Sequence, residues 1–190
     1  MKRGKILIIS GPSGAGKSTV VREFLSRCPI PFHCSISATT RAPRPGEQEG
    51  VNYYYLSPEE FNSRRASSGF LESFEVFSSG TWYGTPVEEV EPYLTQGVWA
   101  LLEIDIRGAQ AVREKYGKEV VSVFISPGSM EILQQRLRGR KTESEADIAV
   151  RLKRAEAEMA SADQYNYVVV NDCVAAAADA ICHIVEKEAK

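Results

Sequence analysis

Long apolar runs are missing from this sequence. Nothing in its 190 residues approaches the roughly 20 consecutive apolar residues of a membrane span. After the basic start Lys2-Arg3-Gly4-Lys5, only a short apolar stretch precedes Gly11-Pro12. A secretory signal needs a longer hydrophobic segment and a small-residue cleavage site. The expected compartment is therefore the cytoplasm, with no membrane partner. A dominant charge is missing as well. Lys and Arg number 23 against 25 Asp and Glu, a formal net charge of −2, which supplies no global attraction to nucleic acid. No nucleic-acid partner is expected, and any anion site must be local. Cysteine patterns for metal are also absent. Cys28, Cys34, Cys173 and Cys182 make no C-x-x-C pair and no zinc-ligand spacing with His33 or His183. They are expected to be reduced, partly buried thiols. There is no internal repeat, low-complexity tract or flexible linker, and a chain this long buries a sizeable core without disulfides. Nothing in the sequence sets the oligomeric state.

The residues that are present alternate between buried strands and helices. Lys5–Ser10 reads Lys-Ile-Leu-Ile-Ile-Ser, a β-branched run suited to a strand covered on both faces. A glycine-rich turn and a helical pattern over Ser18–Ser26 follow, stopped by Pro29 and Pro31. Further buried-strand runs occupy Val98–Asp105, Val120–Ile125 and Tyr167–Asn171, with helical patterns at Ala109–Tyr116, Met130–Arg138, Glu143–Met159 and Ala175–Glu188. That alternation predicts an α/β, doubly wound parallel-sheet core. Residues 33–95 break the rhythm. Short runs at Cys34–Ser37, Tyr53–Leu56, Leu71–Val76 and Thr81–Tyr83 predict a small, mostly antiparallel inserted lobe. Ser57-Pro58-Glu59-Glu60, Thr85-Pro86-Val87-Glu88 and Thr142-Glu143-Ser144-Glu145 each carry a capping-box pattern that predicts a helix start.

Gly11-Pro12-Ser13-Gly14-Ala15-Gly16-Lys17-Ser18 matches G-x-x-x-x-G-K-[ST] between a strand and a helix. Glycines let backbone N–H groups close around an anion, and the helix that follows, with Thr19 in its first turn, aims its positive end at the same point. Lys17 can reach β- and γ-phosphate oxygens, and the Ser18 hydroxyl can ligate Mg²⁺. At average glycine usage the bare string arises by chance in roughly one chain in a hundred of this length. Phosphate binding is the expectation, with the nucleotide class left to the rest of the chain.

A second cationic segment runs Ser37-Ala38-Thr39-Thr40-Arg41-Ala42-Pro43-Arg44-Pro45-Gly46-Glu47, then Gln48-Glu49-Gly50-Val51-Asn52-Tyr53-Tyr54-Tyr55-Leu56. Arg41 and Arg44 can fork onto phosphate oxygens; the alternative is a solvated basic turn beside its own Glu47 and Glu49. Here Thr39-Thr40-Arg41, Arg44, Glu47, Gly50, Tyr53, Tyr55 and Leu56, at these spacings, resemble the signature of the guanylate kinases. The resemblance runs from the phosphate loop to Asn171-Asp172.

The resemblance implies one guanylate-kinase-like domain, with a core over about 1–32, 96–128 and 160–190. A GMP lobe would span about 33–95 and a helical lid about 129–159. It implies ATP and GMP as substrates, with dGMP as a further acceptor and Mg²⁺ as cofactor; a phosphopeptide-binding module without catalysis is the alternative. Arg41, Arg44, Tyr53 and Tyr83 would hold the GMP phosphate, and Ser37, Glu72, Thr85 and Asp105 would surround guanine. Guanine presents N1–H and an exocyclic NH₂ side by side, which suits an acceptor-only carboxylate such as Glu72. The donor nucleotide would take the loop from Gly11 to Thr19 and Asn171, with Arg136, Arg140 and Arg151 at the transferring phosphates. Glu103 would join Ser18 at the metal. Glu103 stands where aspartate is common in the family and Arg107 where glutamine is common.

Overall fold

A computed structural model describes residues 2–76, 80–139 and 145–190. In chain order the elements are β1 (Ile6–Ser10), α1 (Lys17–Arg27), β2 (Phe32–Cys34), β3 (Ala38–Thr39), β4 (Tyr54–Tyr55) and α2 (Pro58–Ala66). Next come β5 (Phe70–Val76), β6 (Thr81–Pro86), α3 (Glu91–Thr95), β7 (Trp99–Glu103), α4 (Ile106–Tyr116) and β8 (Val120–Ser126). The chain finishes with α5 (Met130–Gly139), α6 (Glu145–Met159), β9 (Tyr167–Val170) and α7 (Val174–Ala189). One sheet has five strands in the order β2-β7-β1-β8-β9, and a second has four in the order β4-β3-β6-β5. The α/β class read from the alternation holds.

The described residues cluster into two compact units. The first comprises the described residues within Met1–Ile6, Phe32–Leu102 and Arg107–Val120. Its four-stranded sheet is mixed: β3 runs parallel to β4 and antiparallel to β6, and β5 is antiparallel to β6. The core of that sheet is Ala38, Phe61 and Phe70, with Tyr54, Leu56 and Trp82 packed against it. Phe61 stacks on Phe70 with ring centroids 4.5 Å apart, a contact worth about 0.5–1.5 kcal/mol beyond area burial. Phe61 is delivered by α2, whose capping box forms as the sequence predicts: Glu60 N–H donates to Ser57 Oγ at 3.2 Å, and Ser57 N–H donates to Glu60 Oε2 at 2.9 Å.

Two expectations for this unit fail. The strand anticipated at Cys34–Ser37 is instead Phe32–Cys34, which pairs in parallel with β7, Phe32 opposite Trp99 and Cys34 opposite Leu101. Beyond it the Ser35 N–H still reaches Leu101 O, but the Ile36 N–H turns to the Glu89 carboxylate. Ladder pairing therefore stops before residue 36. Thr85 opens no helix. It lies in β6, fully buried, opposite Glu72, and only a 3₁₀ turn over Val87–Glu89 follows.

The second unit comprises Leu7–Pro31, Glu103–Ile106 and Val121–Lys190. Every residue of β1 and of β8 is buried, as apolar strands covered on both faces should be. β9 pairs in parallel with β8, Val123 opposite Tyr167 and Ser126 opposite Val170. It was expected to be a buried run, yet Val168 and Val170 are about half exposed, because β9 is the edge of its sheet. α5 and α6 pack through Leu133, Leu137, Ile148 and Ala155, with Met130 and Leu152 alongside. The capping box at Thr142 lies outside the described residues, as does Arg140. Among the described residues, no helix is long and apolar enough to cross a membrane.

Candidate active site

The phosphate loop lies in the second unit, between β1 and α1. Gly11 has φ +140, and a Cβ there would overlap the Ile125 carbonyl; Gly16 has φ +88, and a Cβ there would come 2.5 Å from Asn171 Nδ2. Both positions exclude other residues on backbone and space together. Gly16 is the N-cap of α1 and gives no side-chain cap to its first N–H groups, which leaves them for a ligand. Lys17 Nζ donates to Gly11 O at 2.8 Å and to Pro12 O at 3.1 Å. These carbonyls occupy the ammonium as phosphate oxygens would. Burial lowers the Lys17 pKa, with Glu103, Glu158 and Asp105 opposing the shift and Arg154 adding to it.

Two side chains brace the loop from behind. Asn171 Nδ2 donates to Ala15 O at 2.7 Å, and Arg136 donates to Ala15 O at 3.3 Å and to Asn171 O at 2.6 Å. The Asn171 side chain is buried, and among the described residues its Oδ1 has no partner. Arg151 Nη1 lies 3.5 Å from Ser13 Oγ. Ser18 Oγ donates to Glu103 Oε1 at 2.7 Å. Two hard oxygens from separate segments thus meet beside the lysine. Mg²⁺ takes one or two protein oxygens of this kind, with its own waters and phosphate. The set fits Mg²⁺. Asp105 lies just past the end of β7, so the strand's period-2 rule does not govern its direction.

The first unit holds the other cationic site. Arg41 Nη1 and Nη2 donate to Glu47 Oε2 and Oε1 at 2.9 and 3.0 Å, a bidentate pair, while Arg41 Nε donates to the Tyr83 hydroxyl at 3.0 Å. The Tyr55 hydroxyl and the Arg44 N–H donate to Glu47 Oε2 at 2.9 and 2.7 Å. Arg41 also lies over the Tyr53 and Tyr55 rings, 5.4 and 5.9 Å from their centroids. Paired with Arg41 and met by the Arg44 N–H and Tyr55, Glu47 is held far below the usual carboxylate range, at about 2. Glu47 is thus an ordered carboxylate on the guanidinium fork; the basic-turn reading put it beside the arginines but as a solvated neighbour.

Glu72 and Thr85 are cross-strand partners, and Thr85 Oγ1 donates to Glu72 Oε1 at 2.6 Å. The half-buried Ser37 precedes β3, and its carbonyl accepts from Tyr54 N–H at 2.9 Å. Arg44 is exposed. The structure therefore groups Arg41, Tyr53, Tyr83, Glu72, Thr85 and Ser37 in one unit. Lys17, Ser18, Glu103, Asp105, Arg136, Arg151 and Asn171 fall in the other. Arg107, which stands where glutamine is common in the family, donates to Glu75 O at 3.1 Å and covers the Phe74 ring at 5.2 Å.

A strand–phosphate loop–helix unit, together with a second sheet bearing its own arginine–tyrosine cluster, defines a P-loop phosphotransferase of the nucleoside monophosphate kinase class. The guanylate kinase family model matches residues 3–188. A guanylate kinase of Rhodopirellula baltica is 49% identical over 187 residues, 98% of this chain and 90% of the relative. One from Clostridium perfringens strain 13 is 48% identical over 172 residues, covering 90% and 78%. The crystal structure of guanylate kinase from Anaplasma phagocytophilum superposes with TM-score 0.80 at 37% identity, covering 99% of this chain and 87% of that one. The chain belongs to the guanylate kinase family, the ATP:GMP phosphotransferases.

Proposed function

We infer that this chain transfers the γ-phosphoryl group of ATP to GMP, and to dGMP, giving ADP and the nucleoside diphosphate, with Mg²⁺, in the cytoplasm. The observation that carries the acceptor is the Glu72–Thr85 pair. The buried Thr85 hydroxyl fixes one carboxylate oxygen of Glu72 on the neighbouring strand, and an acceptor-only carboxylate matches the paired N1–H and NH₂ of guanine. Adenine would put a lone pair there, and sites built on such bonds reject the wrong analogue by about 10⁴ or more. Ser37 and Asp105 would complete the base contacts. Arg41 and Arg44, with Tyr53 and Tyr83, would take the acceptor phosphate, whose oxygens compete with Glu47 for the Arg41 fork.

On the donor side Lys17 and the loop N–H groups would hold the β- and γ-phosphates. Ser18, with Glu103 alongside, would hold Mg²⁺, which when bound supplies charge neutralisation to the phosphates. Asn171, which braces the loop through Ala15 O, would lie near the adenine of ATP. The attacking phosphate oxygen is already ionised, so no general base is required, and catalysis is positioning plus electrostatic stabilisation. Arg136 and Arg151 supply positive charge next to the loop; Arg140, outside the described residues, would join them. An intact Gly16-Lys17-Ser18 favours an enzyme over a phosphopeptide module. The test is ADP release measured with and without GMP and with and without divalent metal. Release should need both; GMP binding with no ADP under Mg²⁺ would leave only the binding module.

A further inference from the structure

Glu89 is a buried carboxylate that none of the steps above uses. It sits in the 3₁₀ turn after β6, 8% exposed, and three donors from other segments meet it. Oε1 accepts from the Tyr54 hydroxyl at 2.7 Å. Oε2 accepts from Ile36 N–H at 3.1 Å and lies 2.9 Å from His33 Nε2. The His33 ring is itself fixed by stacking on Tyr93, centroids 3.5 Å apart and planes within 5°. Burial works to raise the Glu89 pKa, but Tyr54, the Ile36 N–H and His33 outweigh it and hold the group below the usual carboxylate range. The same bond pushes the Tyr54 hydroxyl up to about 12.

What this carboxylate joins gives it a role. Ile36 is the neighbour of Ser37. Tyr54 lies between Tyr53 and Tyr55, and its N–H donates to Ser37 O. Thr85 stands four residues before Glu89 on the strand that leads into the turn. One side chain therefore fastens the three segments that carry Ser37, Tyr53 and Thr85. Backbone pairing alone would hold two of them weakly, since β3 and β4 are two residues each. We propose that Glu89 is a positioning residue of the acceptor site: through Tyr54 and the Ile36 N–H it sets the spacing of Ser37, Tyr53 and Thr85, and so the affinity for GMP, without touching the nucleotide. This rests on the acceptor reading above.

Steady-state kinetics and melting temperature of Glu89→Ala, Glu89→Gln and Tyr54→Phe test it. A remote displacement of about 1 Å can cost about a hundredfold, so Glu89→Ala should raise the GMP KM about tenfold, with ATP KM and kcat within about twofold. Glutamine can turn its carbonyl to Ile36 N–H and its NH₂ to the Tyr54 oxygen, so Glu89→Gln should recover most of the loss. Tyr54→Phe removes one oxygen and no carbon, and should raise the GMP KM severalfold even if Glu89→Ala does not fold. Variants with lowered melting temperature and wild-type GMP KM would make Glu89 a stability anchor only. An equal rise in ATP KM would also overturn the proposal. A wild type that forms no GDP would overturn the acceptor reading and this inference with it; an active wild type matched by its variants would overturn this inference alone.

Discussion

The 2.6 Å bond from Thr85 to Glu72 changes what each residue does. Sequence placed Thr85 at the head of a helix, because Thr-Pro-Val-Glu satisfies a capping pattern as well as Ser57-Pro58-Glu59-Glu60 does. The pattern is local, and the pairing that overrides it is with a strand thirteen residues away, invisible to a window of four. Glu72, by contrast, was singled out by the family resemblance and by the acceptor-only chemistry of its carboxylate. Glu72→Gln would turn an acceptor into a donor facing guanine donors. GMP kcat/KM should fall by about a hundredfold or more while the fold persists, and an unchanged kcat/KM would remove Glu72 from the base site. Glu47 yields a second expectation. Its folded pKa of about 2 lies below the ordinary 4.5, so the folded state keeps the carboxylate ionised where the unfolded chain takes up a proton. Its contribution is complete above pH 4.5 and is lost as pH falls towards about 2. Glu47→Gln should therefore lose less stability than wild type across that acid window in denaturant titrations. Identical slopes would contradict the ordered Arg41–Glu47 pair. Glu89 had no sequence signal at all, since its partners Tyr54, Ile36 and His33 come from two separate segments.

At the scale of elements, the phosphate loop was the most legible feature, because its glycines, lysine and serine are consecutive and its demands are local. Lys17→Ala should reduce kcat by about a hundredfold or more, the usual cost of losing one preorganised charge. The melting temperature should stay close to wild type, as the lost bonds go to two loop carbonyls; near-normal turnover would unseat Lys17. The α2 capping box was read correctly for the same reason of locality. Ser57→Ala should destabilise the protein by about 1 kcal/mol in denaturant unfolding, with GMP and ATP KM unchanged, because α2 supplies Phe61 to the core and no proposed contact to substrate. A stability change near zero would show that the box contributes little. Strand edges were harder to read. Phe32–Cys34 and β9 each departed from expectation because sheet membership and edge position depend on which strands lie alongside, and Val168 and Val170 look no different in sequence from the buried valines of β8.

For the whole molecule, the alternation of apolar strands with helices was enough to predict the class, and the five-stranded sheet bears it out. The family membership rests on a match over residues 3–188, which no local motif could supply alone. The two anion sites divide between the two compact units, Lys17 with Ser18 and Glu103 in one, Arg41 with Glu47, Tyr83, Glu72 and Thr85 in the other. If Glu72 lines the acceptor site as proposed, the chain should discriminate strongly among nucleoside monophosphates. The most direct measurement is coupled ADP release with MgATP and, in turn, GMP, AMP, CMP and UMP at equal concentration. The account predicts rapid turnover with GMP and a kcat/KM at least about 10³-fold lower with the other three. Comparable rates with AMP, or no ADP above background with GMP, would contradict it.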